Sequence, residues 1–361
     1  MKRPADQKVI LFGCPLDCDE KYDAIQEKLS GHYEDLPFDD PVIPVASALA
    51  AEVPRGEWEL RKSIDVPGWL RPIPAAGERS KIVVDAMVAF IDQDGCREFA
   101  DRIAAEVRSE ILPAFPCLIA VDHSLTGGVF AALAKYYGRG SISLLVVDSH
   151  TDAVPMSRLA KAISYDAETN PDSVYDTADP FLFNRTESYN ASSFLHHLMA
   201  EGLVDPRDLY ILGVSDYPEK KALRIKDLRI TEYVSTYAGL RKKGATIITK
   251  EDCQLKPVKV KTLLKKIRTP YAYLSVDLDI GARNALEGVR FLNWRGLSES
   301  QIYRLVETIC QAGESAVQLV GADITEINPR SAGRQRGQSM DRTYQIAANL
   351  VKKIVFGLAA G

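Results

Sequence analysis

Histidine is scarce in this sequence, with five in 361 residues, and its six cysteines fall in no paired pattern. Only Cys14 and Cys18 lie close together, and no second pair completes a zinc-ribbon spacing. Several cysteines sit in apolar runs, where a free thiol behaves as a small hydrophobe, so reduced structural thiols are expected. Long apolar runs are also missing. No stretch approaches the roughly 20 residues of a membrane span, and the run before Pro15 is only about six residues, too short for a signal h-region. A soluble, cytoplasmic protein without a membrane partner is expected. The formal net charge of −4 provides no basic footprint for nucleic acid, but it does not exclude an anionic small molecule, because local charge decides that. There is no internal repeat and no linker composition, and 46% hydrophobic with 26% charged residues is ordinary globular usage. One domain over residues 1–361 is expected.

Short apolar runs alternate with segments of helical period. The runs are Val9–Cys14, Cys117–Val121, Ser143–Val147, Leu209–Val214, Ala245–Thr249, Tyr271–Val276 and Ala316–Ile324. Their near-continuous apolarity marks strands covered on both faces, as in a parallel sheet. Between them, Arg97–Leu112 places Phe99, Ile103, Ala104, Val107 and Ile111 on one helical face. Ser193–Glu201, Lys259–Ile267, Ser298–Gln311 and Tyr344–Leu358 read likewise, and Ser298 with Gln301 forms a helix-start capping pair. The alternation predicts an α/β sandwich with right-handed crossovers. Two stretches break it. Residues 32–82, rich in Pro, Gly and mixed charge, predict loops with short helices over one edge. Residues 153–192 predict a helix and then a polar run, Asp166–Ser192, where an α/β enzyme keeps substrate-contacting loops.

The chemistry-bearing residues stand at the ends of the apolar runs. Asp122-His123-Ser124 follows the second run, and Asp148-Ser149-His150-Thr151-Asp152 follows the third. Asp277-Leu278-Asp279 follows the sixth, and Asp323 with Glu326 closes the last. Alternation along an extended segment would project Asp148, His150 and Asp152 to one side, and Asp277 with Asp279. In an open parallel sheet the crevice beyond the carboxyl ends of the strands binds ligands. So many carboxylates cannot all stay ionised without counter-charge, and divalent metals supply it. Mixed imidazole and carboxylate ligation fits Mn²⁺, Fe²⁺, Co²⁺, Ni²⁺ or Zn²⁺ better than Ca²⁺. The six residues His123, Asp148, His150, Asp152, Asp277 and Asp279 suffice for two ions if carboxylates bridge. Two ions about 3.5–4 Å apart can hold a nucleophilic hydroxide.

These blocks, in this order, resemble the four signature blocks of the ureohydrolases, the family of arginase, agmatinase, formimidoylglutamase and guanidinobutyrase. The resemblance runs from Val9–Asp17 to the last helical segment. It implies a three-layer α/β/α fold around an eight-stranded, mostly parallel sheet, two Mn²⁺ ions and a homo-oligomer, trimeric or hexameric. By position, His123, Asp148, Asp152 and Asp277 would hold one ion, and Asp148, His150, Asp277 and Asp279 the other. Glu326 matches the glutamate that pairs with a substrate guanidinium. The implied reaction is attack of metal-bound hydroxide on the planar carbon of a guanidino or amidino compound, releasing an amine and often urea.

The chain departs from the pattern in places. Ala120-Val121 stands where the family has a glycine pair. After Asp279 the family's Asp-Pro becomes Ala282-Arg283, and a Pro/Gly-rich segment becomes Asn284–Phe291. Arg283 or Arg290 could clamp a substrate carboxylate or phosphate through its planar fork. No histidine occupies the Thr186–Ser193 segment that carries a proton shuttle in arginases, which leaves His196, His197 and Glu187 as candidates. Asp216 falls near an arginase substrate contact. Glu326, Asp152 and His196 are the candidate catalytic residues; Arg283, Arg290 and Asp216 are candidate substrate contacts. Beside the guanidino/amidino hydrolase stand two alternatives: a hydrolase of a formimino or other amide compound with an anionic substrate, and a metal-binding family member without turnover.

Overall fold

Branched and bulky apolar side chains suit a pleated surface that is covered on both sides. In the computed structural model, residues 1–358 are described except 5, 32, 34, 35, 37, 174, 180, 181, 283–285, 313–316, 337 and 338. Eight strands form one sheet: β1 (Val9–Cys14), β2 (Trp58–Leu60), β3 (Phe115–Ala120), β4 (Ile142–Val147), β5 (Leu209–Val214), β6 (Thr246–Thr249), β7 (Tyr271–Asp277) and β8 (Gln318–Thr325). Their order is β2-β1-β3-β8-β7-β4-β5-β6, and every pair is parallel. β1, β3, β4 and β5 are buried from end to end, as strands covered on both faces must be.

Helices cover the two faces. The described ones are α1 (Tyr22–Ser30), α2 (Val42–Ala50), α3 (Val84–Asp92), α4 (Gly95–Glu106), α5 (Thr126–Tyr137), α6 (Met156–Thr169), α7 (Phe194–Ala200), α8 (Leu228–Lys243), α9 (Lys250–Leu255), α10 (Pro257–Leu264), α11 (Glu299–Ala312) and α12 (Thr343–Phe356). Val9, Leu11, Leu145 and Val147 face the layer of α2, α10, α11 and α12. Ile10, Phe12, Leu144 and Val146 face α3, α4, α5 and α7. Each such side chain contributes about 1.5–3 kcal/mol by leaving water. This is the three-layer arginase-like sandwich that the resemblance implies. No described helix is long and apolar enough to cross a membrane.

Two sequence expectations are corrected here. Residues 32–82 are more than loops and helices, because Trp58–Leu60 adds the edge strand β2 in register with Val9–Leu11. With three residues, two of them exposed and the central one a glutamate, it is too short and too little covered to read as a buried strand. The long helix expected over Arg97–Leu112 ends at Glu106 and continues as a π turn over Val107–Ile111. Gln301 Oε1 accepts from Ser298 N at 2.8 Å at the start of α11, one half of the expected capping pair. All six cysteines are free.

The topology decides where the site lies. β3, β8, β7 and β4 are adjacent at the centre of the sheet, and their carboxyl ends carry the four polar blocks. Strands β1 and β2 extend the sheet one way from β3, and β5 and β6 extend it the other way from β4. Such a divergence leaves a crevice above the strand ends. The α4–α5 contact fixes one wall, since a Cβ on Gly128 would meet the Ala100 carbonyl oxygen at 2.2 Å. Because that neighbour is backbone, Gly128→Ala should destabilise the fold by about 1–3 kcal/mol. The check is a lower denaturant midpoint at unchanged slope; a midpoint equal to that of the unsubstituted protein would mean the two helices can part freely.

Candidate metal centre

Three of the polar blocks make the same local turn. Asp122 Oδ1 accepts from Ser124 N at 3.0 Å, Asp148 Oδ1 from His150 N at 2.6 Å, and Asp277 Oδ1 from Asp279 N at 2.8 Å. An aspartate that bonds the backbone two residues on bends the chain as soon as its strand ends. The alternation expected of an extended segment is therefore not what brings these residues together. β4 ends at Val147, and the chain turns at Asp148 and reaches Asp152 through a left-handed backbone, φ 46°. Leu195 N, in the first turn of α7, donates to Asp152 O at 3.0 Å, and the neighbouring Phe194 ring packs 4.9 Å from that of His123. The polar segment before α7 is itself anchored: the Arg185 guanidinium donates to Asp92 and, at 3.1 Å, to Glu20. The insertion thus returns to brace the cluster.

His123 Nδ1 lies 2.8 Å from Asp152 Oδ2, 3.0 Å from Asp277 Oδ2 and 3.2 Å from Asp148 Oδ2. His150 Nδ1 lies 2.9 Å from Asp279 Oδ2 and 3.6 Å from Asp148 Oδ1. The six residues fall into two groups, His123–Asp148–Asp152–Asp277 and Asp148–His150–Asp279, with Asp148 common to both. His123 and the aspartates are buried, whereas the His150 side chain is 45% exposed. Despite these short approaches, the buried atoms His123 Nδ1, Asp148 Oδ2 and Asp279 Oδ2 have no hydrogen-bond partner among the described residues. Buried polar atoms are almost always satisfied, so converging lone pairs without donors call for a cation. A nitrogen and oxygen donor set without sulfur fits a transition divalent ion.

Electrostatics agree. Burial pushes the Asp148 and Asp277 carboxyls well up, and neighbouring carboxylates push them further. Burial opposes charging His123, yet the approach of Asp277, Asp148 and Asp152 outweighs it and holds the imidazolium well above its usual range. Without a cation the cluster retains protons; taking one up would release them.

The orientation of His123 is fixed from behind. Ser275 Oγ donates to Asp323 Oδ1 at 2.6 Å, so it is left to accept from His123 Nε2–H at 3.0 Å. Tyr273 OH donates to the other Asp323 oxygen. The chain of bonds selects the tautomer whose Nδ1 lone pair faces the carboxylates. Sequence reading singled out Asp323 only by position and missed Ser275 and Tyr273. A signal was there, since Tyr273, Ser275 and Asp277 alternate along β7 and share one face.

Glu326 borders the cluster with a left-handed backbone, φ 61°, a costly conformation for a non-glycine residue. Its Oε1 accepts from His123 N at 3.2 Å and from Arg290 Nη1 at 3.5 Å, while Oε2 has no partner among the described residues. Burial pushes its carboxyl well up, helped by the Asp277 and Asp122 charges and opposed by Arg290. Arg290 also donates to Asp122 Oδ2 at 2.9 Å and lies 3.8 Å from Asp17 Oδ1, with its side chain buried. Arg290 and Phe291 line a cleft of about 590 Å³ with Lys21, Tyr22 and Tyr175, and the Phe291 ring lies 6.2 Å from that of His150. Asp216 accepts from Thr151 N at 3.1 Å, Thr151 Oγ1 at 2.7 Å and Tyr237 OH at 2.9 Å, which fixes the turn between His150 and Asp152. His196 lines a different pocket with Arg158, Met199 and Lys243. Arg283 lies outside the described residues. Beyond Glu326, Arg330 is buried, ion-paired with Asp17, and donates to Pro72 O at 3.1 Å.

Two tests follow from this geometry. Ser275→Ala leaves His123 unoriented and should weaken divalent-metal affinity about 10–100-fold, read by competition with a chromophoric chelator; unchanged affinity would remove Ser275 from the site. Asp17 is the second case. Burial alone would raise its pKa, but Lys28, Arg330 and Arg290 outweigh that and hold it below the usual carboxylate range. A depressed carboxylate contributes stability above its unfolded value, near 3.9, which is lost as pH falls through the folded one. Asp17→Asn should therefore cost about 3–5 kcal/mol at neutral pH by leaving buried cations unpaired. The loss should shrink below about pH 4; a pH-independent difference would refute this.

The whole arrangement can be set beside known proteins. No curated protein sequence matches the chain. The arginase from Bacillus caldovelox has a similar structure, with TM-score 0.59, 17% identity and coverage of 98% of this chain and 100% of that one. Formimidoylglutamase from Bacillus subtilis gives 0.56 at 14% identity, covering 96% of this chain and 86% of its own. Proclavaminate amidino hydrolase from Streptomyces clavuligerus gives 0.55 at 16%, covering 96% and 90%. Identities this low establish the fold alone. The Arginase family profile matches residues 75–357, from ahead of α3 to the end of α12, and includes all four polar blocks. The chain belongs to the arginase family.

Proposed function

We propose that this chain is a binuclear-metal hydrolase that cleaves a linear C–N bond at a planar amidine or amide carbon of a small molecule. The observation that carries the reading is the pair of His/Asp groups sharing Asp148, gathered at the carboxyl ends of the central strands, buried except for His150, with converging lone pairs that have no donor among the described residues. Family membership supports hydrolysis of a C–N bond, and the similar structures named above include an amidino hydrolase and a formimidoylglutamase.

In this reading His123, Asp148, Asp152 and Asp277 hold one divalent ion. Asp148, His150 and Asp279 hold the other, with Asp277 available as a second bridge. Mn²⁺ is the first choice, and Ni²⁺, Fe²⁺, Co²⁺ and Zn²⁺ suit the same donors. Bound there, two such ions would supply Lewis-acid polarisation and acidify a water. The chain's own residues do the rest. Glu326, proton-retaining and with Oε2 unpartnered, is placed to donate to or accept from a substrate nitrogen. Half-exposed His150 and the Phe291 ring define the mouth through which a planar group enters. Asp216 holds the Thr151 turn rather than reaching out with a free oxygen. His196 is a secondary candidate for proton exchange, from the neighbouring pocket that it lines with Ala153, the residue after Asp152. A homo-oligomer, trimeric or hexameric, and a cytoplasmic location complete the proposal; sedimentation tests the first.

The reading is tested by product release from Mn²⁺- or Ni²⁺-loaded protein over a panel of arginine, agmatine, guanidinobutyrate, guanidinoacetate, guanidine, formiminoglutamate and neutral amides. Metal-dependent turnover should fall more than about 100-fold in Asp148→Asn and Asp277→Asn, beyond the loss expected of an outer-shell partner. Two ions bound per chain with silence across the panel would sink the hydrolase and favour a metal-binding member without turnover.

A further inference from the structure

The charges around the cluster bear on which planar group can react there. A guanidinium or amidinium is held by a carboxylate that offers both oxygens to its fork. The carboxylates that border the cluster without belonging to it are already committed. Asp323 serves Tyr273 and Ser275, and Asp216 serves Thr151 and Tyr237. Asp122 Oδ2 and Glu326 Oε1 both face a guanidinium that the chain itself provides, that of Arg290, at 2.9 and 3.5 Å. One oxygen remains, Glu326 Oε2, buried and without a partner among the described residues. A single oxygen on a carboxyl group whose other oxygen already faces Arg290 suits one polar atom of a neutral group, not the fork of a planar cation.

The approach to the cluster has the same character. The Phe291 ring, 6.2 Å from that of His150, carries Lys21 Nζ 4.4 Å over its centroid and Arg290 Cζ at 5.5 Å. An aromatic face that would attract an incoming cation is taken by two resident ones. Five further acids line this cleft. Asp23, Glu27 and Asp176 are exposed and solvated and act weakly at this depth. Asp19 and Asp179 are half-buried, Asp19 accepting from Lys21 N at 3.0 Å and lying in the field of Lys21 and Arg290.

We infer that Arg290 makes this site selective for a neutral planar C–N group, a carboxamide or ureido group, and closes it to guanidinium and amidinium cations. The inference rests on the hydrolase reading for its chemistry and on Arg290 for its selectivity. In the reaction the oxygen of one water goes to the carbonyl carbon, the C–N bond breaks, and the leaving nitrogen takes the proton. No redox partner or co-reactant is needed.

The experiment uses full-length protein, metal-free and Mn²⁺-loaded, with Arg290→Gly and Arg290→Met. Millimolar guanidinium chloride and acetamidinium are titrated by calorimetry, with urea and acetamide as neutral counterparts. Turnover is then compared between guanidino compounds and matched carboxamides and ureido acids. The unsubstituted protein should ignore the cations and turn over neutral compounds. Arg290→Gly, with the guanidinium space vacated, should bind guanidinium at least about tenfold more tightly and gain melting temperature from it, while Arg290→Met, with the space filled, should not. Recovery of a poorly folding Arg290→Gly by millimolar guanidinium would count as the same support. If neither variant folds, the unsubstituted protein still decides. Guanidinium binding by that protein as tight as by Arg290→Gly, or faster turnover of guanidino than of neutral compounds, would overturn the inference and leave the hydrolase standing. The expected binding pattern without turnover of any compound would instead sink the hydrolase reading and leave Arg290 as the exclusion element.

Discussion

The constraint on which the rest depends is charge. Asp148, Asp277 and Asp279 are gathered with His123 where almost no water reaches. Ionised carboxylates in such a place repel one another strongly, and desolvation penalises each of them. A protein can answer with protons, with cations of its own, or with bound cations. This chain uses its own cations on one side of the strand ends only. There Asp17, Asp122 and Glu326 meet Lys28, Arg330 and Arg290, three carboxyl groups facing three cations. On the other side the His/Asp cluster faces no lysine or arginine within ion-pair distance among the described residues, and its lone pairs converge without donors. Two adjacent networks of like composition, one neutralised internally and one not, make a stronger argument for bound metal than the carboxylates alone would.

The local chemistry that builds this arrangement is economical. One aspartate turn is used at the ends of β3, β4 and β7, and each time it converts a buried strand into a site residue within two positions. Where the turn cannot reach, the backbone accepts a left-handed conformation, at Asp152 and at Glu326. Such conformations persist only where surrounding structure holds them. At Asp152 the holder is α7, through Leu195 N; at Glu326 it is the His123 amide and the Arg290 guanidinium. The cluster is therefore tied to the 153–192 insertion and to the 290 region as firmly as to the sheet.

Much of this was legible in the sequence, for a physical reason. Strands covered on both faces have to be apolar throughout, so polar residues at their ends stand out: Asp122, Asp148 and Asp277 each follow such a run, and Asp323 stands near the end of one. What escaped reading follows from the same physics. The edge strand Trp58–Leu60 is covered less and so reads as loop. Ser275 sits inside an apolar strand, where a hydroxyl looks like a tolerated impurity, and its bonds to His123 and Asp323 depend on which strands are neighbours. Arg290 is the sharpest case. In sequence it is one arginine in an unusual loop, equally suited to solvent or to an anionic ligand, and only the fold shows three carboxylates around it.

Arg290 also shows why membership of a family and choice of substrate are separate questions. The parts that carry the cluster are strands and short turns, and they lie within the residues 75–357 that the family profile matches. Loops at strand ends can change without disturbing them, because their backbone lies outside the sheet. Arg290 is held at both ends, its backbone amide donating to Glu326 O at 3.1 Å and its guanidinium buried against Asp122. It inserts a charge beside the cluster at no cost to the sheet, and it carries a partner set, Asp122 and Asp17, that keeps it there whatever the occupancy of the cleft. The side chain that is paired within one network therefore also lines the cleft that leads toward the other.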